Sequence, residues 1–288
     1  DINYKKEKNS FSEVKFDGQI FQNKKVKLKN LSLIESENIF SLSNLYLSND
    51  YKIIDLDKLQ LTYLNNNKKL NQFNILKENN KFKVSSDSFD GKSIIKNLLN
   101  GDSKGNFLKR FKNLNSEIIL NFEHFLIDSK DYLNKIRGSI IIEDNKIIYG
   151  NITAKLNNKN DFNLNIKTNS KNEKTTNLLI DRPEPFIKHY KFIKGFSGGN
   201  LSYNSIEKNG INKSSLKIFD FKVKEVPVLA KILTLASLQG IADLLTGEGI
   251  RFDDFEMDYQ SSKNLIEIRE MYAIGPAISI LMSGYIEK

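Results

Sequence analysis

Two histidines, His124 and His189, are the only imidazoles in a chain of 288 residues that has no cysteine. A metal centre would have to combine them with scattered carboxylates, and neither histidine stands at ligand spacing from another donor. A strand or surface position is the expectation for both, and no metal is expected. Asp253, Asp254 and Asp258 fall in the run FDDFEMDY. Paired acids can do acid–base work, but at this spacing they alternate with Phe255, Met257 and Tyr259, as on the wet side of a strand. The glycines of Gly247-Glu248-Gly249 follow an apolar helical stretch instead of opening one, which is the wrong order for a phosphate loop. The sequence therefore reads as non-enzymatic, with no catalytic residues and no cofactor.

The composition fits that reading. Hydrophobic residues make up 39% and charged residues 27% of the chain, so it can build a core. Without cysteine there are no disulfides or thiolate sites, which suits an oxidising compartment as well as a reducing one. The net charge of +9 is uneven: residues 219–288 hold 7 Lys/Arg against 11 Asp/Glu, leaving +13 for residues 1–218. That excess does not form a nucleic-acid footprint. The lysines are scattered over alternate positions, and the aromatics occupy the opposite, apolar parity, where they cannot serve as base-stacking platforms. No nucleic-acid partner is expected. The chain opens at Asp1 on a polar stretch with no secretory leader and closes on SGYIEK within a strand-like pattern, so an excerpt from a longer chain is expected.

The elements that must carry these residues are announced by period two. Ile118, Leu120 and Phe122 alternate with Glu117, Asn121 and Glu123; Ile148, Ile152, Ala154 and Leu156 share one parity; Phe162, Leu164 and Ile166 alternate with Asn163, Asn165 and Lys167. Such alternation predicts strands with one apolar and one wet face. The punctuation is short and polar, at Asp144-Asn145 and at Asn157–Asp161, which predicts hairpins and an antiparallel meander. A long meander with one apolar face has to close, pack, or curl around something apolar. The fold class expected is mainly β: a long curled antiparallel meander, groove-like, with a few short helices.

Two helical interruptions are predicted, one within Gly91–Gly101 (GKSIIKNLLNG) and one within Pro183–Leu201, which Pro183 and Pro185 open. Each is preceded by an Asp, contains Ile-Lys and ends on Gly-Asn, a weak internal repeat. A boundary is placed in the polar segment 169–177, giving a repetitive β-meander segment over 1–175 and a second region over 176–288.

The least expected element is the apolar run from Val226 to Phe252, VPVLAKILTLASLQGIADLLTGEGIRF. Pro227 suits a first helical turn and Gly247 and Gly249 suit a stop, so a helix is predicted over 227–245, about 28 Å at ~1.5 Å per residue. Its apolar positions, Val228, Leu229, Ile232, Leu233, Leu235, Ala236, Leu238, Ile241 and Leu244, make a stripe wider than one packing seam. Lys231, Gln239 and Asp243, with strands on both sides, count against a membrane span. A core helix on the sheet's apolar face and a helix that fills or caps a lipid-lined groove remain as alternatives.

The run Phe219–Tyr259 resembles the C-terminal region of AsmA-like proteins, in the branch that contains YhdP. The resemblance rests on Pro227-Val228-Leu229, Ala236-Ser237-Leu238-Gln239-Gly240, Asp243-Leu244-Leu245 and Gly247-Glu248-Gly249 in order, and on the closing AIGPAISILMSGYIEK with Gly275, Pro276, Ala277 and Gly284. It covers roughly 180–288. The inner-membrane helix that such proteins carry at their N-terminus and the stretch that usually follows the last strand are not among these residues, as expected of an excerpt. The resemblance implies a long curled sheet with an apolar inner channel. It implies a periplasmic segment of an inner-membrane-anchored envelope protein, whose partners are phospholipid acyl chains and the inner and outer membranes. Lipid would move through the groove without covalent chemistry. The groove residues expected on the strands are Ile118, Leu120, Phe122, Ile148, Ile152, Leu156, Phe162, Leu164 and Ile166. The alternative is a structural or assembly module that assists outer-membrane protein biogenesis through exposed strand edges.

Overall fold

The computed structural model describes residues 11–65, 68–99, 107–188, 194–225 and 249–287. Among them are seventeen β-strands, two short α-helices and one 3-10 turn, so the fold is mainly β. The chain divides into two compact units, Asp1–Lys159 and Asn160–Lys288. The division precedes the polar segment 169–177 that the sequence suggested. Its first part, 169–173, is a hairpin turn in which Asn169 Oδ1 accepts the backbone N–H groups of Lys171 and Glu173 at 2.9 and 3.0 Å, and the rest begins the next strand. Its polarity reports an Asx turn within one sheet instead of a linker between two units.

The first unit runs β1 (Glu13–Ile20), β2 (Val26–Glu35), β3 (Asn38–Leu47), β4 (Ile53–Asp55), β5 (Lys58–Leu64), β6 (Leu70–Glu78) and β7 (Lys81–Asp90). Then come α1 (Lys92–Leu99), the 3-10 turn Phe107–Arg110, β8 (Ser116–Leu126), β9 (Tyr132–Glu143) and β10 (Lys146–Leu156). Hairpin turns fall where short polar pairs accept positive φ: Asn79 and Asn80 at 47° and 62°, Asp144 and Asn145 at 47° and 60°. Asn and Asp tolerate this region, and two such residues in succession give a turn whose twist matches the strands it joins.

A purely antiparallel meander does not hold. β7 and β8 are parallel, in register from Lys81 with Glu117 to Asp90 with Leu126. Two parallel neighbours need a crossover of a dozen residues or more. The predicted helix within Gly91–Gly101, observed as α1, lies in that crossover. The proposed repeat fails on the same point. The second helix, α2 (Glu184–Ile187), connects strands that pair antiparallel, so the two neighbourhoods differ in topology.

Side chains in the first unit line up across strands. Leu42, Leu59, Ile75, Val84 and Leu120 form one row that continues to Gly138 and Ile152. Part of this face is covered by the chain itself. Phe111 and Leu114, downstream of the 3-10 turn, pack on Phe82, Ile118 and Ile142. Lys112 N–H donates to Ile53 O at 2.9 Å and Leu114 N–H to Asn145 Oδ1 at 2.7 Å, which fixes the covering segment. Further along, Phe73, Phe89, Phe122 and Phe125 meet edge to face or tilted, with centroids 5.2–6.2 Å apart.

The second unit is antiparallel throughout its described pairings: β11 (Asn160–Thr168), β12 (Lys174–Ile180), then after α2 β13 (Lys194–Lys208), β14 (Ile211–Glu225), β15 (Ile250–Ser261), β16 (Leu265–Ile274) and β17 (Ser279–Glu287). Its main core joins Ile187, Phe196, Ile218, Phe221, Val223, Ile250, Phe252 and Ala273. Strict alternation would put Ile218 and Phe221 on opposite faces. Gly199 (φ 85°) and Asp220 (φ 51°) face each other at a skipped register position and shift the phase of both strands by one residue. The same side therefore stays buried past the shift.

The expected helix over 227–245 lies outside the described residues. Among the described residues no helix is long and apolar enough to cross a membrane.

Candidate functional site

The second unit presents one sheet face built of cross-strand rows. The first row is Phe162, Ile180, Leu201, Ile218, Phe255, Ala273 and Ile280. Two residues along each strand comes Leu164, Leu178, Tyr203, Leu216, Met257, Met271 and Met282. The period of two puts both rows on the same face. At the end nearer Phe162, α2 closes the surface: the Phe162 and Phe186 rings lie 5.9 Å apart, and Ile187 joins the core. Away from that end the apolar side chains are only half-buried, Leu164, Leu178, Leu216 and Met257 among them.

The next row changes chemistry. It holds Ile166, Thr176, Ser205, Ser214 and Tyr259. Tyr203 Oη lies 3.2 Å from Ser214 Oγ. Burial raises the Tyr203 pKa, but hydrogen bonds with Ser205, Ser214, Asn212 and Tyr259 outweigh it and hold the phenol below its ordinary value. The row after that holds Thr168, Lys174, Glu207 and Asn212, with Lys174 and Glu207 paired at 2.5 Å. The face thus grades along the strand direction from Phe and Ile, through Leu and Met, to hydroxyls and then an ion pair.

The opposite face is mostly polar, with Leu179 and Ile206 exposed on it. Lys217 Nζ binds Glu256 at 2.7 Å and Tyr272 Oη donates to the same carboxylate at 2.5 Å. The Lys217 ammonium, then the Tyr272 hydroxyl, hold Glu256 below the usual carboxylate range, and the bond to Glu256 pushes Tyr272 up to about 12. A cleft of about 630 Å³ is lined by Asn177, Asn204, Lys213, Asp258, Arg269 and Glu270 of this side and also by Ser205, Ser214 and Tyr259 of the hydroxyl row. Its two cations and two anions balance. Sequence reasoning pointed only at the apolar face and missed this concavity; the signal available was the polar parity Asn177, Asn204, Asp258.

The expected groove residues are distributed unevenly. Phe162, Leu164 and Ile166 start three successive rows of the face just described. In the first unit, Leu120 and Ile152 share one row. Ile118, Phe122 and Leu156 are buried against the chain's own side chains, with Leu156 at 0% exposure. Ile148 sits at a bulge between Ile147 and Tyr149. Val228, Leu229, Ile232, Leu233, Leu235, Ala236, Leu238, Ile241 and Leu244 all lie outside the described residues, as does His189. His124 is exposed on β8, where its Nδ1 lies 2.6 Å from Asn134 Oδ1 and its ring meets the edge of Tyr132. Asp258 is exposed, while Phe255, Met257 and Tyr259 take the apolar parity. Among the described residues no group of three or more His, Cys, Asp or Glu is disposed to hold a metal.

Comparison with protein-family models, with curated proteins and with solved structures gave no match.

Proposed function

We propose that the chain is a non-enzymatic segment of a cell-envelope protein that offers lipid acyl chains an apolar path between the inner and outer membranes. The observation that carries this reading is the pair of seven-residue rows headed by Phe162 and Leu164, apolar apart from the Tyr203 hydroxyl and half-buried over much of its extent. Each methylene taken out of water is worth about 0.8 kcal/mol, so an acyl chain crosses an aqueous gap only along such a surface. The resemblance of 219–259 to the AsmA-like family supports the envelope and periplasmic setting and the curling of the sheet into a groove.

The test is native mass spectrometry with lipid extraction on the chain purified from a diderm host. Co-purifying phospholipid is expected, and Leu164→Asp or Leu216→Asp should reduce it while circular dichroism stays unchanged. A lipid-free, stable monomer would instead mark the face as a closed core and move the reading to an assembly module for outer-membrane proteins, checked by capture of unfolded β-barrel precursors.

A further inference from the structure

The last strand of the second unit is an open edge. Among the described residues β17 pairs only with β16, and every residue of it except Ile280 is exposed. A bare edge is a template for another strand, so natural edges are blunted by charges, proline or bulges. β1, which among the described pairings meets only β2, has such devices. Glu13, Lys15 and Asp17 lie on it, and its register shifts between Asp17 and Gly18. β17, SILMSGYIE, has no charge before Glu287 and no proline. Instead Leu281 and Tyr285 stand 74% and 73% exposed on one face, and Met282 and Ile286 51% and 53% on the other.

The hairpin before β17 fixes the hydrogen-bond phase of this edge. Gly275 N–H donates to Ile278 O at 2.9 Å. Bonded pairs recur at every second residue of an antiparallel ladder, so Ile280 and Met282 turn their backbone groups inward to Ala273 and Met271. The register shift between Ile268 and Met271 adds its extra residue to β16, which leaves β17 regular. Ser279, Leu281, Ser283, Tyr285 and Glu287 therefore turn their N–H and C=O groups outward.

We propose that this edge pairs with a second copy of itself, antiparallel about a two-fold axis at Ser283. That register engages the whole strand and sets outward groups against outward groups. Leu281 falls opposite Tyr285, Ile280 opposite Ile286 and Met282 opposite Gly284, and apolar cross-strand pairs of this kind stabilise a sheet. Glu287 falls opposite Ser279, so no like charges meet. An axis one residue earlier, at Met282, would set Leu281 against Ser283 and Tyr285 against Ser279. An axis one residue later, at Gly284, would set Leu281 against Glu287 and Tyr285 against Ser283. The side chains thus select the register centred on Ser283. The two-fold stands perpendicular to the sheet, which makes the contact isologous and keeps the apolar faces of both copies on one side.

The test is sedimentation velocity of the purified chain over a concentration series. A dimer that dissociates on dilution through the micromolar range is expected of so small an interface. Ser283→Lys sets two lysines against each other at the axis and should raise the dissociation concentration roughly tenfold or more, with circular dichroism unchanged. Phe16→Lys on β1 should leave the dimer intact. The chain has no cysteine, so single cysteines report the register. Ser283→Cys should cross-link to itself through a short bis-maleimide, and Leu281→Cys chains to Tyr285→Cys chains. Tyr51→Cys, at a 70% exposed position of the first unit, should not cross-link. A monomer at every concentration would overturn the proposal. So would a dimer that survives Ser283→Lys, or open-ended oligomers that Phe16→Lys abolishes, since the partner edge would then be β1. None of these outcomes depends on bound lipid, which the mass spectrum reads separately.

Discussion

Phe221 stacks on Phe252 with ring centroids 5.3 Å apart and planes 17° from parallel, and it meets Phe196 in the same way at 5.2 Å and 18°. Three phenyl rings from β13, β14 and β15 therefore tie together the central strands of the second unit. Removing the middle ring should be severe. Phe221→Ala is expected to lower stability by about 3–5 kcal/mol in urea unfolding, the usual cost of deleting a buried phenyl group. Phe219→Ala, two residues away but 40% exposed, should cost less than about 1 kcal/mol. Similar losses at both positions would mean that the stack does not organise the core.

The stack exists only because the strand changes phase before it. Asp220 adopts φ 51°, a conformation that glycine takes freely and β-branched residues resist. Asp220→Gly should be close to neutral, whereas Asp220→Val should destabilise by about 1–2 kcal/mol. The same unfolding curves decide the matter, and an Asp220→Val protein as stable as the parent would remove the strain argument.

Gly138 lies on the middle of three paired strands of the first unit. It pairs with both Leu120 and Ile152 at φ 152°, and a Cβ there would stand 1.9 Å from Asn151 O. Gly138→Ala must push β9 and β10 apart, with an expected loss of about 1–3 kcal/mol. Gly284→Ala meets nothing within 4 Å and should leave the melting temperature unchanged. A tolerated Gly138→Ala would show that the sheet relaxes at this close approach without cost.

Tyr63 is buried, and its burial, helped by the charge of Asp90, pushes its phenol up to about 12. The unfolded chain loses that proton near the ordinary value of about 10. Between those two pH values the unfolded state binds fewer protons than the folded state, so stability falls as pH rises through this window and is unaffected below it. A near-ultraviolet titration of the parent minus Tyr63→Phe should show one phenol ionising late, and the alkaline loss of stability should be shallower in Tyr63→Phe. A difference curve centred at the ordinary tyrosine pKa would refute the assignment.

Much of this was written into local sequence. Period two in Phe162–Ile166 and Ile118–Phe122 fixed the strands, because side-chain alternation follows from backbone geometry alone. Asp144-Asn145 fixed a hairpin, because those residues tolerate positive φ. The run GKSIIKNLLNG fixed a helix. Three things were beyond local reading. Whether that helix crosses over between parallel strands or joins antiparallel ones depends on which strands pair, a matter of long-range contacts. The phase shift at Asp220 and the register shift at Ile148 break the alternation that identifies strands, so side chains that look misplaced in sequence join one core. The third is the fate of apolar residues that look equivalent. Ile118 and Leu164 have the same pattern, yet Phe111 and Leu114 fold over the first, while the second remains half-buried on a face graded towards hydroxyls. Local pattern states that a residue is apolar and which way it faces; only the packing of distant segments decides what, if anything, covers it.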